Sequence, residues 1–260
     1  MLTVSDTAYA IAHIRALESE RPPAERLFDD PYAAVFAAGG EHAREGTERF
    51  LSLPFFRDGI RLRTRFFDDF VRDGVAAGAR QVVLMGAGFD ARGLRFPELA
   101  AAGARVYEVD FEALLATKRA LLAGAGVTIP SHVAYVACDF MAEGFEDALA
   151  MSLRDVGFRA GEGALFVWEG VIAYLDRASI ERSLRFMATA GGAGSRVAFD
   201  HGDAPFAPET TLDFVRRHGF TACEEVAYDA LWRRHLPGEP HEGAGYCRAT
   251  VASVGWQSQT

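Results

Sequence analysis

A chain of 260 residues, half of them hydrophobic and 24% charged, carries ample apolar material for one globular core and is not the composition of a disordered chain. The formal net charge of -9 argues against the basic stripe by which proteins hold nucleic-acid phosphates, so the expected partner is a small molecule or peptide and not a nucleic acid. Cys138, Cys223 and Cys247 are odd in number and widely spaced. They draw neither a disulfide framework nor a CxxC metal pair, so a reducing cytoplasm and no metal are expected. No apolar run approaches the ~20 residues that span a bilayer. The N-terminal segment interleaves Asp, Glu, Arg and His with its apolar residues and so lacks a secretory h-region.

In chain order, the first eighty residues read as helices over 6–20, 31–38 and 57–77, separated by Arg21-Pro22-Pro23 and Gly39-Gly40. From Gln81 the texture changes. QVVLM, RVYEVD, HVAYVACD, ALFVWEG and RVAFDH are short apolar runs at wide intervals, with helical stretches such as 111–123 and 177–190 between them. That alternation builds a parallel sheet with right-handed crossovers. Ile180, Leu184 and Met187 recur at helical spacing and are expected to face the sheet. A further helix over 211–218 and a tail strand in CRATVASV complete the plan.

The most informative segment is VVLMGAGFDARGLRF, in which a buried strand enters Gly86-Ala87-Gly88. Glycines there permit a tight turn and keep Cβ atoms away from backbone N–H groups that could face a ligand. GAGFDA also satisfies the looser dinucleotide fingerprint, so a nicotinamide or flavin oxidoreductase competes on this motif alone. Asp110 ends the next strand, twenty-two residues beyond Gly88, where a carboxylate can receive both ribose hydroxyls of a nucleoside or cap the following helix. Glu108 should point to the opposite face of that strand. Asp139 and Glu169 end two further strands, and polar groups at successive carboxyl ends of an open parallel sheet converge on one crevice.

Taken together, several segments resemble the leucine carboxyl methyltransferase family, which includes bacterial polyketide and small-molecule O-methyltransferases. They are Asp6-Thr7-Ala8, Arg15-Ala16-Leu17-Glu18, Leu27-Phe28-Asp29-Asp30-Pro31-Tyr32-Ala33, Ile60-Arg61-Leu62-Arg63-Thr64-Arg65-Phe66-Phe67-Asp68-Asp69, Gly86-Ala87-Gly88-Phe89-Asp90-Ala91-Arg92, Tyr107-Glu108-Val109-Asp110-Phe111 with Lys118 downstream, and Glu169-Gly170-Val171-Ile172-Ala173-Tyr174-Leu175. Ala91, Glu112 and the Val-Ile-Ala run after Gly170 depart from the threonine, proline and Val-Thr-Met usual in that family. The resemblance implies an α/β fold, Rossmann-like, with a mostly parallel seven-stranded sheet, helices on both faces and a final antiparallel strand. Residues 1–78 would be a helical cap over the substrate, and residues 79–260 would bind S-adenosyl-L-methionine.

Residue by residue, the resemblance implies that Arg63 contacts the methionine carboxylate and that Gly86, Ala87 and Gly88 lie against the methionine part. Asp110, with Phe111 beside it, would hold the ribose, Asp139 and Phe140 would border the adenine, and Glu169 would face the methionine amino group. Tyr174 and Trp168 are candidates for the acceptor pocket. His201, just past a strand end and near Asp200 and Asp203, is the candidate general base. The expected activity is methyl transfer to a carboxylate or hydroxyl of a small metabolite or peptide. The alternatives are an oxidoreductase or a non-catalytic member that binds the nucleoside and transfers nothing.

Overall fold

The computed structural model describes residues 4–40, 54–202 and 205–255. Seven strands among these residues, β1 (Gln81–Met85), β2 (Arg105–Asp110), β3 (Val133–Ala137), β4 (Leu165–Trp168), β5 (Arg196–His201), β6 (Ala222–Ala227) and β7 (Arg248–Ser253), form one sheet in the order β3-β2-β1-β4-β5-β7-β6. β7 pairs antiparallel with β5 and β6, and every other pairing is parallel. The strand order runs outward from β1 in one direction through β2 and β3, and in the other through β4 and β5. A crevice therefore opens between β1 and β4 at the carboxyl edge.

β1, with all five residues buried, shows how the sequence builds two cores from one sheet. Val83 and Met85 point to one face with Tyr107, Val109 and Trp168, where they pack with Phe145 and Leu149 of α7 (Phe145–Asp155) and with Ile180, Leu184 and Met187 of α8 (Arg177–Gly191). The spacing of those last three residues thus marks the sheet-facing stripe, as expected. Val82 and Leu84 alternate to the other face, against Phe67, Phe70 and Val71 of α3 (Pro54–Ala76) and against Phe96 and Leu99 beside α4 (Arg92–Arg95) and α5 (Pro97–Ala101). A strand covered on both faces reads as an unbroken apolar run, which is why QVVLM is legible.

The N-terminal helices α1 (Val4–Ser19) and α2 (Ala33–Ala38) sit beside α6 (Glu112–Gly124) through a separate apolar cluster centred on Phe89. The Phe89 ring stacks on Phe36 at 5.0 Å and meets Tyr9 at 4.9 Å. At the far end, Tyr228, Leu231 and Trp232 of α10 (Tyr228–His235) pack against Leu62 of α3, and α9 (Thr211–Arg216) precedes β6.

β6 and α10, both in the last fifty residues, are not among the elements expected from the sequence. The run Ala222–Ala227 holds Glu224 and Glu225 in its middle, both exposed, and lies at the sheet edge. Charge on an edge strand prevents pairing with another chain and also erases the apolar alternation by which a strand is read.

Two outcomes test this packing. Phe89→Ala should lower the unfolding free energy by about 3–5 kcal/mol in urea denaturation; a loss below about 1 kcal/mol would show that the ring does not secure the N-terminal helices. His218 is buried beside Phe214, and neither ring nitrogen has a hydrogen-bond partner among the described residues. Burial holds its pKa below the ordinary value. Its neutral form is therefore favoured in the fold, and its contribution to stability disappears as pH falls below the unfolded value of about 6.5 and through the folded one. Denaturation followed from pH 8 to 5 should show a shallower acid-side loss in His218→Phe than in the parent; identical slopes would contradict this.

Candidate active site

β1 ends at Met85 and the chain turns at Gly86, whose φ of +72° lies in the left-handed region. A Cβ at this position would stand 2.4 Å from Val171 Cγ2, so space as well as conformation restricts the turn to glycine. The turn does not present its first amides to a ligand, as its sequence led one to expect. Gly86 and Ala87 N–H both donate to the Val109 carbonyl, at 2.8 and 3.0 Å, and Gly88 N–H donates to Asp110 Oδ2 at 2.6 Å. What the turn offers is a close, side-chain-poor surface.

Asp110, at the end of β2, receives a second amide, Phe111 N–H, on Oδ1 at 2.7 Å. Burial pushes its carboxyl up, and the two amides oppose that shift. The N-cap residue of α6 is Phe111, without a side-chain cap, so Asp110 spends its carboxylate on bracing the glycine turn instead. A carboxylate has about four acceptor positions, so two amides leave room for a diol. Glu108 lies on the opposite side, fully buried and ion-paired to Lys118, whose Nζ also donates to the Asp90 carbonyl. This is the arrangement that strand alternation anticipates.

Asp139 follows β3 and accepts from Met141 N–H at 2.9 Å, while Phe140 is buried edge-on to Phe145 at 5.8 Å. Glu169 follows β4 and lies between two arginines, with Oε1 accepting from Arg63 Nε at 3.0 Å and Oε2 paired with Arg92 Nη2 at 2.8 Å. Arg63 also donates through Nη1 to Asp200 Oδ2 at 3.3 Å, and its Nη2 makes no hydrogen bond among the described residues. Burial works against its charge, but Asp200 and Glu169 outweigh burial and raise its pKa above the ordinary value. Gly170, with φ of +69°, is what lets the guanidinium approach: a Cβ there would lie 2.8 Å from Arg63 Nη2.

These groups meet in a cavity at the carboxyl edge. Its lining includes Arg63, Gly86, Ala87, Gly88, Asp110, Phe111, Asp139, Phe140, Glu169 and Tyr174, together with Thr7, Ala8, Ile11 and Arg15 from α1 and Asp90. The nine residues that the sequence singles out for the nucleoside are therefore brought together in one place. The lining carries four carboxylates (Asp90, Asp110, Asp139, Glu169) and two guanidiniums (Arg15, Arg63), a balance suited to a ligand with net positive charge.

A second cavity adjoins the first, and Thr7, Ile11, Arg63, Gly170, Val171 and Tyr174 line both. Beyond that shared wall lie Phe55, Phe56, Gly59 and Ile60 of α3, the Ile172-Ala173 segment, Asp200, His201, Gly202, Pro205, Tyr228 and Cys247. Tyr174 is thus at the boundary. Trp168 is not: it lies on neither wall, has no exposed surface, and packs edge-on to Phe199 at 6.4 Å on the α7 and α8 side of the sheet. As the last residue of β4 it takes the face opposite the one its neighbours suggest, and its assignment to the acceptor pocket is corrected.

His201 borders the second cavity, but both ring nitrogens are engaged. Nδ1 is 2.8 Å from the Gly202 carbonyl, and Nε2 is 3.0 Å from Thr250 Oγ1 and 3.2 Å from Glu225 Oε1. A carbonyl can only accept, so Nδ1 carries its proton, and the remaining nitrogen is occupied by β6 and β7. That geometry disfavours His201 as the base. Asp200 turns to Arg63 and Gly170 instead, and Asp203 lies outside the described residues.

Residues that the sequence reading left without a role complete the site. Asp200 is one more strand-end acid, legible in RVAFDH but weighed only as a neighbour of His201. Tyr228 begins an unanticipated helix, and its hydroxyl lies 3.5 Å from Asp200 Oδ2. Asp90 is buried against Arg92, and although burial pushes its carboxyl up, Arg92, Arg15 and Lys118 together hold it below the usual value. Among the described residues, no group of three or more His, Cys, Asp or Glu is placed to hold a metal ion, and no helix is long and apolar enough to cross a membrane.

Comparison with known proteins gives these cavities a context. The model of the leucine carboxyl methyltransferase family matches residues 8–188. A protein of Parafrankia sp. (strain EAN1pec) with the provisional name S-adenosyl-L-methionine-dependent methyltransferase is 38% identical over 241 residues, covering 90% of this chain and 73% of its own. A protein of Mycolicibacterium gilvum (strain PYR-GCK) with the same provisional name is 36% identical over 216 residues, covering 76% and 67%. The crystal structure of a provisionally named methyltransferase from Thermobifida fusca YX superposes with a TM-score of 0.59 at 16% identity, over 98% of this chain and 95% of that one, a likeness of fold. The dinucleotide alternative raised by GAGFDA falls away, and the chain belongs to the leucine carboxyl methyltransferase family of S-adenosyl-L-methionine-dependent methyltransferases.

Proposed function

We propose that the protein transfers a methyl group from S-adenosyl-L-methionine to an oxygen, a carboxylate or hydroxyl, of a small metabolite or peptide. The observation that carries this reading is the pair of cavities sharing one wall at the carboxyl edge of the sheet. The first has the donor set for a sulfonium nucleoside: Asp110 for the ribose, Glu169 for an ammonium group, the open side of Arg63 for a carboxylate, and an excess of acids around it. Gly86, Ala87 and Gly88 allow close approach at the amino-acid end, and Asp139, Phe111 and Phe140 border the far end. The second cavity, largely apolar and walled by Phe55, Ile60, Val171 and Tyr228, takes the acceptor, with Tyr174 at the junction.

The sulfonium supplies an already activated methyl group. The chain's own task is to align the acceptor oxygen across the shared wall and to exclude water. Thr7 and Ile11 of α1, together with Phe55, Phe56 and Ile60 of α3, form a lining contributed by residues before 79, which supports their role as a cap over the remainder of the chain, 79–260. A carboxylate acceptor, with a pKa of about 4, is ionised at neutral pH and needs no base, whereas a phenol near 10 would benefit from one. With both nitrogens of His201 occupied, the carboxylate is the better match. The net charge of -9 disfavours a nucleic-acid acceptor, and the unpaired cysteines suit the cytoplasm.

Two substitutions test the first cavity. Arg63→Ala removes a charge-assisted contact and should weaken binding of S-adenosylhomocysteine or S-adenosylmethionine by about 1.5–3 kcal/mol in calorimetric titration; an unchanged dissociation constant would remove Arg63 from the ligand. Asp110→Asn should weaken binding while the protein stays folded, and native affinity would mean that the carboxylate only braces the glycine turn. For the reaction itself, labelled cofactor with acidic metabolite pools should give a product that releases volatile methanol in base. A base-stable product would point to an ether or N-methyl group, and no product at all would point to a binding protein.

A further inference from the structure

Arg92 is buried to 1% exposure and lines neither cavity, yet its side chain touches three acids. Nε donates to Asp68 Oδ1 at 2.8 Å, Nη1 to Asp90, and Nη2 pairs with Glu169 Oε2 at 2.8 Å while lying 3.4 Å from the Thr64 carbonyl. Two of these partners, Thr64 and Asp68, are one turn apart on α3, and Thr64 directly follows Arg63. The other two, Asp90 and Glu169, are carboxylates of the first cavity wall. The guanidinium is a rigid planar fork, so its contacts with α3, with the glycine loop and with the end of β4 fix those three segments relative to one another.

The consequence falls on Glu169. One of its oxygens is held by Arg63 and the other by Arg92, so the carboxylate cannot rotate without releasing one of them. The same Arg92 contacts set the rotation of α3, and with it the direction in which Arg63 projects. We propose that Arg92 is a positioning residue for the ligand's amino-acid end: without touching the ligand, it holds Glu169 and Arg63 in the mutual geometry that receives an ammonium and a carboxylate. This rests on the functional reading of the first cavity given above. A group that orients ligand-contacting residues in this way changes affinity through them, and a double-mutant cycle detects that dependence.

The experiment is calorimetric titration of S-adenosylhomocysteine into the 260-residue parent chain and into Arg92→Lys, Glu169→Gln and the double variant, with thermal melting to establish that each is folded. Lysine keeps the charge but lacks the planar fork whose three nitrogens reach the three acids in different directions. Arg92→Lys alone should weaken binding about tenfold, and the same change made on the Glu169→Gln background should cost only about threefold, the part that acts through α3 and Arg63. An equal factor in both backgrounds would reduce Arg92 to a general structural role, and no weakening at all would remove it from the site; either result overturns the inference while the parent protein still binds. Failure of the parent to bind would overturn the functional reading, and the inference with it. If Arg92→Lys does not fold, Asp68→Asn, which loosens the ties of Arg92 and Arg95 to α3 and leaves those of Arg92 to Asp90 and Glu169, should weaken binding at least threefold, and unchanged affinity would overturn the inference.

Discussion

The structure depends on how charge is handled at the carboxyl edge of the sheet. Acids stand at the ends of β2 (Asp110), β4 (Glu169) and β5 (Asp200), and two arginines, Arg63 from α3 and Arg92 from the start of α4, stand among them almost without solvent. Burying a charge is unfavourable unless it is paired and hydrogen-bonded, and removal of one partner from such a cluster costs about 3–5 kcal/mol. Because Glu169 lies between Arg63 and Arg92, and Asp200 takes another side of Arg63, the cluster is satisfied only when α3, the glycine loop and the ends of β4 and β5 are all in place. The interactions that shape the site thus also hold the segments that form it.

The cluster explains why the N-terminal helices belong to the site. α3 delivers Arg63 to the strand ends and lays Phe67, Phe70 and Val71 on the sheet face, while α1 closes over the first cavity. Arg15 of α1 donates to the Phe89 carbonyl just after the glycine turn and pairs with Asp30 at 3.3 Å. Tied by buried ion pairs and by the Phe89 ring cluster, the N-terminal helices keep a fixed relation to the wall of the first cavity, as the proposed in-line transfer requires.

Much of this was legible in the sequence where one physical constraint dominates a segment. Strands covered on both faces are rich in apolar residues, so β1, β2 and β5 are legible to the residue although Glu108 interrupts β2, and the acids at strand ends mark the crevice because such positions converge there by topology. What escaped was set by tertiary partners. β6 hides behind its edge glutamates, and the apolar face of α10 is set by distant partners, Leu62 of α3, Val226 of β6 and Ala249 of β7. Trp168 looked like a pocket residue beside Glu169, but strand alternation sends it to the other face. His201 looked available beside two acids, and its partners proved to be Thr250 and Glu225, far away in sequence. The shared wall of the two cavities is likewise a product of packing between α1, α3 and the Gly170 segment.

The central claim is that one crevice presents a nucleoside to an adjoining chamber. A crystal structure with S-adenosylhomocysteine tests it most directly. The account predicts the ribose on Asp110, the amino-acid end between Arg63 and Glu169, and the sulfur directed at the wall formed by Thr7, Ile11, Val171 and Tyr174. A nucleoside bound elsewhere, or one whose sulfur faces away from the second cavity, would contradict it.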